Sequence, residues 1–120
     1  MRIATFNVNS VKQRVEAMQA WLKERAPDVV CLQEIKCVDD AFPRSAFEDL
    51  GYNVAVHGQK SYNGVAILSK FPLDEVAPQL PGDQADVHAR YLEVVISSGA
   101  GALRVASIYL PNGNPPGGEK

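Results

Sequence analysis

Asn7, Glu34 and Tyr109 each stand where a β-rich run gives out. Asn7 follows "RIATF" and Glu34 follows "DVVCLQ", in which four consecutive apolar residues, Val29 to Leu32, read as a strand buried on both faces. If those two strands run parallel, the amide and the carboxylate leave the sheet on the same edge. That edge, beyond the carboxyl ends of the strands, is where open α/β sheets place their ligands. An amide oxygen beside a carboxylate offers hard oxygen donors of the kind Mg²⁺ or Mn²⁺ accepts. Taken by position alone, a glutamate after a strand is ordinarily a solvated loop residue, so the metal reading depends on Asn7 arriving beside it. An acid after the second strand also suits a dinucleotide site, where it holds a ribose. That reading fails at the first turn, because "NVNSVKQR" contains no glycine to cradle a pyrophosphate.

The remaining polar candidates have plainer readings when taken singly. Tyr109 shares a strand face with Val105 and Ser107, as a half-buried tyrosine with its hydroxyl at the rim would. Asn112 follows Pro111 and reads as a turn residue. Lys36 and Arg90 read as surface cations, and His57 and His88 as structural or peripheral.

The elements that must position these groups follow from periodicity. The first strand spans Arg2 to Val8. Val11, Val15, Met18 and Leu22 fall on one helical face, Ser10 with Gln13 resembles a capping box, and Pro27 closes the helix. Asp28 to Gln33 forms the second strand, giving β-α-β in about 33 residues, a length that favours a parallel pair with a right-handed crossover. Pro43 to Leu50 reads as a short second helix stopped by Gly51. Beyond it the period becomes two: "YNVAVHG", "GVAILSK", "RYLEVVIS" and "LRVASIYL" read as strands between turn-forming clusters. The expectation is one α/β unit, with a mixed sheet and one long helix after strand one.

The chain has 120 residues, 46% hydrophobic and 22% charged, enough for a single domain with a sizeable core. A formal net charge of −2 excludes a field strong enough to hold a polyanion unaided, so any nucleic-acid contact must be local. Cys31 and Cys37 form no disulfide or C-x-x-C pattern, Cys31 reads as a small buried hydrophobe, and no stretch suits a membrane span. A cytoplasmic protein without membrane contact is the expectation. The close, "PNGNPPGGEK", is loop composition, and we expect the chain to be truncated within residues 111–120.

Four segments, "MRIATFNVNSVKQR", "PDVVCLQEIK", "LGYNVAVHGQKSYNGVAILSK" and "IYLPNG", together resemble the exonuclease III group of endonuclease/exonuclease/phosphatase enzymes, in order and at fitting intervals. The resemblance implies a DNase I-like layered α/β sandwich, of which this chain is about the amino-terminal half. It implies a metal-dependent DNA-repair phosphodiesterase, an exodeoxyribonuclease working 3′ to 5′ and cutting at abasic sites, whose partner is double-stranded DNA and which is a monomer at full length. It assigns Asn7 and Glu34 to the Mg²⁺ (or Mn²⁺) site with Glu34 the direct ligand, Tyr109 to catalysis beside the scissile phosphate, and Asn112, Lys36 and, more loosely, Arg90 to substrate binding. The group's G-D-x-N and S-D-H motifs, carrying the water-activating aspartate and a histidine, are not among these 120 residues. Half of a two-sheet fold is expected to leave an apolar face uncovered, and the fragment alone is expected to be inactive. Two alternatives stay open: another phosphoesterase of the superfamily, acting on phosphoinositides or sphingomyelin, and a non-catalytic binding fragment.

Overall fold

A computed structural model of the chain describes residues 2–58, 64–77, 91–98 and 101–108. In chain order the elements are β1 (Ile3–Asn7), α1 (Val11–Arg25), β2 (Val29–Gln33), a 3₁₀ turn (Asp39–Ala41), α2 (Arg44–Glu48), β3 (Asn53–His57), β4 (Val65–Ser69), β5 (Leu73–Ala77), β6 (Tyr91–Ser98) and β7 (Gly101–Ile108). They form a mixed four-stranded sheet in the order β1-β2-β4-β3 and a three-stranded sheet in the order β5-β6-β7. β1 and β2 are parallel, as the β-α-β length requires, and every other pairing is antiparallel.

The apolar run of β2 is explained by its neighbours. Val30 and Leu32 face a helical layer in which Val11, Met18 and Leu22 of α1 and Phe47 of α2 are buried. Val29 and Cys31 face the second sheet, where they meet Leu92, Val94 and Ile96 of β6 and Val105 of β7. β4 divides in the same way, Ala66 and Leu68 toward the helices and Val65 and Ile67 toward the second sheet. The four-stranded sheet is thus the middle of three layers, and each fully buried Val, Leu or Ile in it contributes roughly 1.5–3 kcal/mol of transfer free energy.

Several expectations need correction. The chain holds parts of two stacked sheets rather than one mixed sheet, and Leu73–Ala77, which carries Asp74 and Glu75, pairs as a strand that the alternation did not suggest. The capping box at Ser10 is not formed: Ser10 has φ 84°, its side chain makes no cap, and α1 begins at Val11. The helix start is held instead by backbone bonds to the turn after β2, Ser10 N–H to Glu34 O at 2.8 Å and Val11 N–H to Ile35 O at 3.0 Å. At the other end Ala26 adopts φ 45° and donates to Leu22 O, immediately before Pro27. α2 is shorter than expected. Gly51, at φ 93°, closes it with N–H bonds from Gly51 to Glu48 O and from Tyr52 to Phe47 O, a Schellman arrangement.

The uncovered apolar surface lies at the margins. β1 has only β2 as a partner among the described residues, and its Ile3 and Phe6 are exposed, as are Val76 on β5 and Leu103 on β7. Phe6 leans on Trp21 of α1, with ring centroids 6.1 Å apart.

Cys31 lies between the sheets as expected, and burial raises its thiol pKa from 9.0 to about 11. The folded state therefore holds the neutral thiol, contributing stability that is complete below about pH 9 and is lost as the pH rises toward about 11. Urea unfolding followed across that range should show this alkaline loss shrinking in Cys31→Val. An unchanged profile in the variant would count against a protonated, buried thiol.

Candidate metal and phosphate site

The register Ile3↔Val29 through Asn7↔Gln33 sets the last residue of β1 beside the last residue of β2, so both chains leave the sheet at one rim. There the Asn7 Nδ2 donates to Glu34 Oε2 at 2.5 Å. The Asn7 Oδ1 is turned the other way and accepts the Asn9 backbone N–H at 3.0 Å. The amide therefore aims the carboxylate, and the other Glu34 oxygen faces Lys36. The Lys36 ammonium donates to Asn9 Oδ1 at 2.6 Å and lies 3.7 Å from Glu34 Oε1. With side chains 31% and 23% exposed respectively, Lys36 and Glu34 are open enough to meet a ligand and fixed enough to orient it.

The backbone here is strained. Asn9, Ser10, Glu34 and Lys36 have φ of 46°, 84°, 55° and 57°, a region that costs an ordinary residue roughly 1–3 kcal/mol. Such a pair of turns persists only if its surroundings over-determine it. Val8 N–H bonds Gln33 O, Ser10 N–H bonds Glu34 O, Val11 N–H bonds Ile35 O, and Ile35 N–H bonds Gly64 O. Gly64 serves by having no side chain: at φ +92° a Cβ would sit 2.5 Å from Ile35 Cγ1. Gln33, the polar end of an otherwise apolar face, donates from Nε2 to Thr5 Oγ1 at 2.9 Å and Ser107 Oγ at 3.1 Å. Ser107, itself buried, donates to Leu32 O at 3.0 Å.

Of the expected site residues, Asn7, Glu34 and Lys36 are brought together. Tyr109, Asn112 and Arg90 fall outside the described residues, as does His88. His57, read from sequence as peripheral, ends β3 in the row that runs Asn7, Gln33, Val65, His57, on the same edge but two strands beyond Gln33. Sequence reasoning missed Asn9, Gly64 and Ser107. The glycine opening "GVAILS" was the available signal for a close approach, whereas Asn9 takes its role from a left-handed backbone that periodicity does not reveal.

The donor set suits a hard cation held loosely. Among the described residues no group of three or more His, Cys, Asp and Glu side chains gathers to hold a metal. Glu34 offers carboxylate oxygens beside Asn7 and Lys36, and Mg²⁺ is commonly held by one or two carboxylates while keeping waters and taking phosphate oxygens. A single carboxylate with an ammonium beside it therefore fits an ion that arrives with, or binds jointly to, a phosphate.

Two stacked sheets, with a carboxylate-amide pair on the rim of the four-stranded one, make a layered α/β scaffold, and residues 4–117 match the Endonuclease/Exonuclease/phosphatase family, to which this chain belongs. Within that family it is 37% identical, over 113 residues, to exodeoxyribonuclease III of Haemophilus influenzae, an alignment covering 94% of this chain and 42% of the relative. Three solved structures superpose with a TM-score of 0.86. The 3′-5′ exonuclease of Neisseria meningitidis is 37% identical, with 94% of this chain and 43% of that one covered. The AP endonuclease of Archaeoglobus fulgidus is 36% identical, with 94% and 42% covered. A 3′ phosphatase from Neisseria, bound to product DNA hairpin, superposes with the same TM-score at 37% identity, covering 94% of this chain and 42% of that one. The fold is the DNase I-like layered sandwich of these enzymes, and the chain spans less than half of the length of each.

Gly64→Ala should lower stability by about 1–3 kcal/mol in urea unfolding, because its φ of +92° is joined by the clash with Ile35. Gly51→Ala, at φ +93° with nothing within 4 Å of the added carbon, should cost less. Equal losses would mean that the close approach at Gly64 contributes nothing.

Proposed function

We propose that this chain carries part of the active site of a divalent-metal-dependent DNA-repair phosphodiesterase, a 3′-to-5′ exodeoxyribonuclease that also cleaves beside abasic sites. The observation that carries this reading is the Asn7–Glu34 bond at the rim, with the Lys36 ammonium next to it. Support comes from the identity to exodeoxyribonuclease III and from a structural neighbour described as bound to product DNA.

Glu34 would hold Mg²⁺ or Mn²⁺ through its carboxylate, and Asn7 would keep that carboxylate aimed. When bound, such an ion polarises a phosphoryl oxygen and offsets charge that builds up in phosphodiester hydrolysis. Lys36 contributes a fixed positive charge where the DNA phosphate approaches, and Asn9 keeps that charge from collapsing fully onto Glu34. Tyr109 and Asn112 are assigned to hydrogen bonding with the non-bridging phosphate oxygens, a role in which loss of one preorganised donor costs roughly 10²–10³ in rate. Arg90 is assigned, more loosely, to contact with the DNA. The net charge of −2 agrees with local rather than global attraction for DNA. The reading leaves water activation to groups outside these 120 residues.

The 120-residue chain with Mg²⁺ should leave abasic duplex DNA intact. Joined to the remaining segment of the Haemophilus influenzae relative, it should cut 5′ to the abasic site, and Glu34→Gln should reduce that rate by at least about 10²-fold. Cleavage by the chain alone, or an undiminished rate in the Glu34→Gln fusion, would overturn the reading.

A further inference from the structure

Ser107 sits where the alternation of β7 calls for an apolar residue. Its neighbour on the same inward face, Val105, is buried against Cys31, Val29 and Leu92, and Ser107 itself is 1% exposed. Gln33 occupies the matching position on β2, following Val29 and Cys31 toward the second sheet. A polar pair at the end of an apolar interface costs desolvation unless each group is satisfied. Here the donor hydrogens are all placed. The one Ser107 hydroxyl hydrogen goes to Leu32 O at 3.0 Å, which leaves its oxygen to accept from Gln33 Nε2 at 3.1 Å. The second Gln33 amide hydrogen goes to Thr5 Oγ1 on β1 at 2.9 Å, or to Cys31 O at 3.3 Å. Three strands, β1, β2 and β7, are thereby tied near the carboxyl end of β2, just before Glu34.

The position of the tie gives it a consequence. Glu34 enters a turn at φ 55°, which the local chain does not favour. The direction of its carboxylate thus depends on what immobilises Gln33 and Leu32. We infer that Ser107, acting through Gln33, is a positioning residue for the Glu34 ion site, locking the carboxyl end of β2 to the second sheet. Neither residue touches the ion or the phosphate. Support of this kind, once removed, typically costs 10–100-fold in metal affinity. The same tie fixes β7 two residues before Tyr109, so one hydroxyl sets the spacing between the carboxylate strand and the strand that leads to the tyrosine.

The inference rests on the metal reading above, and its test separates the two. Mn²⁺ is titrated into ¹⁵N-labelled chain, and the concentration that half-broadens the Val8, Ile35 and Lys36 amide signals is recorded for each variant. Ser107→Ala and Gln33→Met should each raise that concentration by about tenfold, and the double variant should raise it little further, because both break one link. Ser69→Ala removes another buried hydroxyl, one that bonds Phe71 away from the site; it should lower stability but leave the Mn²⁺ concentration unchanged. Hydrogen exchange without metal gives a second readout: the Ile35 and Val8 amides should exchange faster in Ser107→Ala, and the Val56 amide on β3 should not. Unchanged Mn²⁺ response in Ser107→Ala and Gln33→Met, with broadening intact in the parent, would overturn the positioning role. Absence of localised broadening in the parent itself would instead overturn the metal reading, and this inference with it.

Discussion

The parallel pairing of β1 with β2 is the constraint from which the rest follows. It is a pairing of short strands, five residues each, whose in-phase register delivers an asparagine and a glutamate to one rim. A slip of one residue would turn Val30 and Leu32 from the helical layer toward the second sheet and exchange every buried face of β2. The burial of Val29, Val30 and Leu32, each fully inaccessible, is therefore also what fixes where Glu34 comes out. Packing energy in the core is converted into positional accuracy at the edge.

That accuracy is bought against local preference. Four non-glycine residues near the site, Asn9, Ser10, Glu34 and Lys36, take left-handed backbone conformations. They are stabilised from outside: the start of α1 bonds to the Glu34 and Ile35 carbonyls, and Gly64 receives the Ile35 N–H. The result couples the helix, the β2 turn and β4 into a single support. Electrostatics completes it. Asn7 binds one carboxylate oxygen of Glu34 while Lys36 stands 3.7 Å from the other, with its strongest contact made to Asn9 instead. The Asn9 bond thereby holds the ammonium beside the carboxylate rather than directly on it.

Much of this was legible in the residues. The 3.6-residue spacing of Val11, Met18 and Leu22 gave α1, the unbroken run of Val29 to Leu32 gave a strand covered on both sides, and the two strand ends gave Asn7 and Glu34. What escaped was whatever depends on non-local company. Leu73–Ala77 pairs with β6 at the margin of its sheet, so Asp74 and Glu75 can face solvent and mask the strand pattern. Ser10 stands at the N-cap, as its spacing suggested, but at φ 84° its side chain makes no cap bond, and its N–H goes to the β2 turn. Ser107 was placed on the correct face, but only the partner strand shows that its hydroxyl meets Leu32 and Gln33. The roles proposed for Tyr109, Asn112 and Arg90 rest on motif resemblance, since they lie outside the described residues.

The central claim is that Glu34, aimed by Asn7, holds a divalent ion. Crystals of the chain soaked in Mn²⁺ and measured at the manganese absorption edge test it most directly. The account predicts an anomalous peak bonded to a Glu34 carboxylate oxygen, beside Lys36, that disappears in Glu34→Gln. A peak bound elsewhere while Glu34 stays unligated, or one that persists in Glu34→Gln, would contradict it.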